Sequence, residues 1–191
     1  NLKVRRALEA ILANYKGERS GNDWENFRTY AKQVFFSNGI HHHYSNDKHQ
    51  PAFPQAYFEQ LMKESGASLA PEVLAAIFDP SVDAKKVSLD KDKDPVLASA
   101  VNFYGDDISQ KEVEAFYAKL EKKNDPQPLS YGLNSRLVRG KDGQLMEQVY
   151  KVDGLYGPAL AVSVKWLEKA VGVAETPEQK AALELLIKYY R

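Results

Sequence analysis

The chain has 191 residues, 43% hydrophobic and 27% charged, which suits a soluble globular unit with its own core. Its 26 Lys and Arg residues balance 26 Asp and Glu residues, so no long-range field favours phosphates and nucleic acid is not expected as a partner. With no cysteine it can form neither disulfides nor thiolate zinc sites, and with no run of about 18 apolar residues it is not expected to enter a membrane.

Val4, Leu8, Ile11, Leu12 and Tyr15 recur at helical spacing and predict an amphipathic helix over residues 2–16. The polar stretch Gly17–Gly21 breaks it. Asn22, with Glu25 three residues on, is placed to cap a second helix. Trp24, Phe27, Tyr30, Ala31, Val34 and Phe35 give that helix one broad apolar face, read as core and not as a ligand box. Asn38-Gly39 should stop it, because both residues tolerate positive φ.

All four histidines follow within nine residues, from His41 to His49. Imidazole is the side chain best suited to ligate a metal or move a proton near neutral pH. The window lies between a helix stop and Pro51, so it is a loop or a short extended segment. On a strand only His41 and His43 would share a face. A zinc site would then need His49 or Asp47 as well. The plainer expectation is a polar cleft edge whose imidazoles bond to neighbours or to a ligand. The His-Glu-x-x-His helix of zinc hydrolases is absent.

Pro54 should open a short helix running to about Ser65, and Pro71 another to about Phe78. Residues 79–95 read as an exposed, charged connection. Asp90-Lys91-Asp92-Lys93-Asp94 imitates the start of a calcium loop. However, Pro95 and Val101 stand where that loop needs Gly and Glu, so a solvated loop is expected. Asp106-Asp107 precedes a helix N-terminus, where carboxylates meet the helix dipole favourably. Ser109 and Glu112 form a capping box for a helix running to about Lys123. Asn134–Val138 and Leu145–Val152, joined through Gly140-Lys141-Asp142-Gly143, predict a β-hairpin that must pack on helices or join further strands. Gly157-Pro158 opens a helix with Leu160, Val164, Leu167 and Val171 on one face. Thr176-Pro177 opens the last, with Leu183, Leu186, Ile187 and Tyr190 as its stripe. The reading is α+β, mainly α. No Gly-x-Ser-x-Gly elbow, Walker loop or Gly-x-Gly-x-x-Gly turn occurs, and no Arg-Glu pair for a Nudix helix.

Several stretches, in order, resemble the dipeptidyl peptidase III family of zinc exopeptidases. Phe36-Ser37-Asn38-Gly39-Ile40-His41-His42-His43-Tyr44 is similar to a segment of its bacterial members, where eukaryotic members have Ser-Asn-x-Gly-Asn-Tyr. Phe103-Tyr104-Gly105 is similar to the family's Tyr-Phe-Ser-Gly, and Asn134-Ser135-Arg136-Leu137 to its Asn-Thr-Arg-Leu. Gly154-Leu155-Tyr156-Gly157-Pro158-Ala159-Leu160 and Leu167-Glu168-Lys169-Ala170 match its Gly-x-Tyr-x-Pro-x-Leu and Leu-Glu-Lys-Ala.

The resemblance implies a two-lobed enzyme that removes dipeptides from the N-termini of short peptides. Its zinc is held in the other lobe by a His-Glu-x-x-Gly-His helix and a later Glu. Residues 1–191 resemble the N-terminal part of the lobe without zinc, and the hairpin would belong to a small β-barrel there. The chain opens and closes in helical pattern, and is expected to be a fragment of a parent found in the cytoplasm, an exported parent staying open. No catalytic or metal-binding residue carries over. Asn38, Gly39, His41, His43 and Tyr44 are the candidates for a cleft-edge contact with the peptide. Zinc and the zinc lobe are expected in the rest of the parent. The competing expectations are a free-standing helical interaction module and a small metal-binding module using His41, His43 and His49.

Overall fold

A computed structural model describes residues 1–122 and 124–191. These form two compact units, residues 1–101 and 102–191. The fold is α+β and mainly α, with seven helices and one two-stranded antiparallel sheet among the described residues.

The first unit carries α1 (Leu2–Asn14), α2 (Asn22–Ser37), α3 (Gln55–Ser65) and α4 (Pro71–Phe78). Helix α1 buries Val4, Ala7, Leu8 and Ile11, one stripe at three- and four-residue spacing, and packs on α2 and α3. Helix α2 buries Trp24, Phe27, Tyr30, Ala31 and Val34. Aromatic rings then run through the core in succession. Tyr15 stacks on Trp24 at 5.5 Å, Trp24 meets Phe27 at 5.4 Å, and Phe27 meets Phe53 edge-on at 5.9 Å. Phe58 closes the run against Phe78 at 5.6 Å. Such offset and edge-on pairs stabilise beyond their buried area. The Tyr30 hydroxyl lies inside this core with no hydrogen-bond partner among the described residues.

Asn22 does not cap α2. The cap position is Gly21, at φ +86°, and its carbonyl accepts from the Glu25 amide at 3.1 Å. Glycine makes that left-handed entry without strain, so Asn22 already lies in the first turn with no side-chain cap. At the other end Asn38 adopts φ +54°, and the amides of Asn38 and Gly39 turn back onto the last helical carbonyls. Pro54 likewise sits at the cap of α3 and not inside it.

In the second unit α5 (Gln110–Ala118) carries the predicted capping box. The helix ends at Ala118, short of the expected end near Lys123, a residue that itself lies outside those described. Strands β1 (Ser135–Arg139) and β2 (Leu145–Val149) pair with Leu137 opposite Glu147. The far edge of β1 is taken by residues 103–105: the Leu137 amide donates to the Phe103 carbonyl, and Gly105 donates to that of Leu137, both at 2.8 Å. Asp106 and Asp107 face hairpin arginines. Asp107 pairs with Arg139 at 2.7 Å and Asp106 with Arg136 at 3.7 Å, a more direct partner than the helix dipole. Arg139 also reaches Glu112 at 2.8 Å and so ties the hairpin to α5.

Helices α6 (Gly157–Val171) and α7 (Pro177–Tyr190) pack together. Val164 and Ile187 are buried between them. A Cβ at Gly157 would run into the Val152 carbonyl oxygen, which explains glycine at that helix start. Thr176 caps α7, its hydroxyl accepting from the Gln179 amide at 3.1 Å. Leu186, expected in the packed stripe of α7, is exposed, as are Val162, Trp166, Leu185 and Tyr189. No helix among the described residues is long and apolar enough to cross a membrane.

Candidate functional site

The helix stop at Asn38 throws the chain into a tight double-back over residues 40–49. The His42 amide donates to the Asp47 carbonyl at 2.7 Å, and the His49 amide to that of Ile40 at 2.9 Å. His42 stabilises the turn from inside, since its Nδ1 accepts from the amides of Tyr44 (3.3 Å) and Ser45 (3.2 Å). Asn46 supplies the positive φ, at +62°. A third strand-like segment joins at residues 84–86, where the Lys86 amide donates to the Asn46 carbonyl at 2.8 Å. Lys85 pairs with Asp47. That ammonium, with the Ser45 hydroxyl, holds the Asp47 carboxyl below the usual range.

Strand alternation fails in this window, because His43 sits in the turn. His41 and His43 do not share a face. His41 is buried, with Nε2 2.7 Å from the Asp83 carbonyl oxygen. Burial pulls its imidazole below the ordinary range, against the raising effect of that carbonyl. The rings of His42 and His43 instead stack at 4.9 Å, and His49 meets His42 edge-on at 5.8 Å. Ser37, on the last turn of α2, bridges two of them: its Oγ lies 3.0 Å from His49 Nε2 and 3.3 Å from His43 Nδ1. His49 is held below the usual imidazole range by burial and then by its imidazole neighbours.

These side chains line an open, largely apolar groove of about 790 Å³ beside the end of α2. Phe35 and Phe36 form its apolar wall, Lys32 and Gln33 its helix side, and Ser37, His42, His43 and His49 its polar side. Lys32 and Phe36 reach it together because they are four residues apart on one helix. Phe36 is 82% exposed and leans on His43 at 5.3 Å.

Of the cleft-edge candidates from sequence only His43 lines this groove, joined by His49, which was weighed there as a metal ligand. Asn38 is exposed and shapes the helix stop. Gly39 is buried against the Asn1 side chain, where a Cβ would lie 2.9 Å from the carboxamide. Tyr44 is 83% exposed and packs on His43 at 4.2 Å. Sequence reasoning missed Ser37, His42, Phe36 and Lys32. The i, i+4 spacing of Lys32 and Phe36 into an exposed phenylalanine was the available signal. It also missed Lys48, which is buried and donates to the carbonyls of Asp79 and Val82. Burial lowers its ammonium pKa, and the nearby Asp83 and Asp79 oppose that. Residues 79–95 lie within the first unit, mostly exposed but with Ser88 buried, and the carbonyls of Asp79, Val82 and Asp83 anchor Lys48 and His41.

The imidazoles do not fit a zinc site. His41 is committed to the Asp83 carbonyl, and Ser37 already engages ring nitrogens of His43 and His49. No group of three or more His, Asp or Glu side chains converges to hold a metal among the described residues. Of the three rings weighed for a metal module, His41 turns to the Asp83 carbonyl while His43 and His49 meet at the Ser37 hydroxyl. No family model matches the chain, and neither does any curated protein.

Proposed function

We propose that this chain is the non-catalytic, cleft-forming part of a zinc-dependent dipeptidyl peptidase of the dipeptidyl peptidase III type, acting on short peptides. The observation that carries it is the ordered set of resembling stretches, from Ser37-Asn38-Gly39-Ile40-His41-His42-His43-Tyr44 through Asn134-Ser135-Arg136-Leu137 to Gly154–Leu160. The groove supports the reading, because its His-rich turn is held by backbone bonds, by His42 and by the Lys85–Asp47 pair while its apolar wall stays open, as a peptide-binding edge requires. The exposed apolar residues of α6 and α7 support it too, as surface that the rest of such a lobe would cover. The β1–β2 hairpin, with residues 103–105 on its edge, would in this reading be part of the small barrel. In this reading zinc belongs to the remainder of the parent, where it would polarise the scissile carbonyl and activate water. This chain holds and orients the peptide, and the parent works in the cytoplasm.

The parent gene tests this. The reading predicts a His-Glu-x-x-Gly-His segment some way downstream of Arg191. A stop codon shortly after Arg191 would replace it with the free-standing interaction module.

A further inference from the structure

We propose that the groove at the end of α2 receives the C-terminal residue of a peptide, its apolar side chain on Phe35 and Phe36 and its carboxylate on Lys32 and the imidazoles of His42, His43 and His49. The inference rests on the groove being a peptide-binding edge and adds the class of ligand. It makes no use of zinc.

Charge complementarity carries it. No carboxylate lines the groove, and Lys32 is its one formally charged lining residue. The nearest carboxylate in the turn, Asp47, acts on His42 but is paired with Lys85. Lys48, the other cation of the turn, points away to the Asp79 and Val82 carbonyls. His41 faces Asp83 and is outside the groove. Besides Lys32 the helix side brings the carbonyl end of α2, which favours protonated imidazole and opposes a carboxylate, so Lys32 and the imidazoles must outweigh it. Every group able to change charge in the groove wall therefore becomes cationic as pH falls.

Apolar wall and imidazoles also lie within one residue's span, with Phe36 and His43 rings 5.3 Å apart. A C-terminal residue presents its side chain and its carboxylate from a single α-carbon and matches that spacing. Ser37 couples the parts. Its Oγ lies 3.0 Å from His49 Nε2 and 3.3 Å from His43 Nδ1, and where both nitrogens carry hydrogen it accepts from both and turns its own O–H toward an incoming carboxylate. Binding should then tighten as the imidazoles protonate.

The test is titration of the 191-residue chain with the tripeptide Gly-Gly-Phe and with its C-terminal amide, followed by NMR and calorimetry at about pH 6 and about pH 8, either side of the imidazole range. At the lower pH the free acid should bind at least about tenfold more tightly than the amide, the worth of one charge-assisted hydrogen bond. The preference should shrink at the higher pH. Phe36→Ala and His43→Gln change exposed side chains, so circular dichroism should match the wild type. Each should weaken the acid at least about tenfold. Equal binding of acid and amide, a preference that grows with pH, variants that bind like wild type, or no binding at millimolar peptide would each overturn the inference. A parent gene without the zinc motif would sink the enzyme reading and leave this result standing. Absent binding in a chain whose parent has the motif would sink this inference alone.

Discussion

Residues 1–101 close around a run of aromatic rings, with Phe27, Phe58, Leu8, Ile11 and Leu61 fully buried. Residues 102–191 bury far less. Ile108, Val113, Leu137, Val164 and Ile187 are their only fully packed apolar side chains among the described residues. Their order comes more from polar ties: the Ser109–Glu112 box, Arg139 on Asp107 and Glu112, and Tyr117 and Ser135 on Glu147 at 3.1 and 2.5 Å. The contrast teaches where each unit draws its stability. The first draws on apolar burial and therefore tolerates an open groove at its edge. The second leans on hydrogen bonds and ion pairs and leaves a helix face uncovered.

Deleting a core ring should break the contrast most severely. Phe27→Ala removes a fully buried ring in contact with Trp24, Phe53 and Phe58, and should cost about 3–5 kcal/mol. Denaturant unfolding with amide exchange read residue by residue will show whether that loss falls on residues 1–101.

A smaller effect should come from acid, and it should separate the units. All four histidines lie in the first unit. His41 and His49 are held below the usual imidazole range by burial, so the folded state keeps them neutral. Their contribution is complete above the unfolded imidazole pKa and is lost as pH falls through it toward the folded value. In the second unit Glu112 is held down at about 2 by the Ser109 amide, then by Arg139 and the Ser109 hydroxyl. Its contribution is present above the usual carboxylate range and disappears only as pH falls toward about 2. Thermal unfolding against pH should therefore show a loss through the imidazole range in residues 1–101 alone. A matching loss in residues 102–191 would contradict the assignment.

Removing the α5 cap should cost less. Ser109→Ala deletes a hydroxyl that accepts from the Glu112 amide, for a loss of about 1 kcal/mol by urea unfolding. The smallest change should run the other way. Tyr30→Phe removes a buried hydroxyl without a partner, so stability should hold or rise by up to about 1 kcal/mol. A loss above that range would show that the hydroxyl is satisfied after all.

Much of this architecture could be read from residue order. Pro71 to Phe78 forms a helix with those ends, because proline at the first position and a short apolar run leave little choice. The Asn38 stop, the Ser109 box and the hairpin around Gly143 follow from local chemistry as well. The entry to α2 does not, because Gly21 and Asn22 both suit a cap and only the backbone path decides. The site was legible as a place more than as a set of residues. Alternation was the wrong rule for His41 to His43, since the turn that breaks it depends on the His42 ring accepting from the Tyr44 and Ser45 amides. Ser37 and Lys32 are ordinary helix-surface residues until the returning chain brings His43 and His49 against them. Lys48 would be expected in solvent, and it is buried only because distant carbonyls at Asp79 and Val82 receive it.

The most direct test of the central claim is hydrolysis of a dipeptidyl arylamide by the pure 191-residue chain, assayed with and without added zinc. A groove-forming lobe with no reactive centre of its own predicts no turnover under either condition. Turnover that copurifies with the chain and is abolished by His43→Ala would contradict the account.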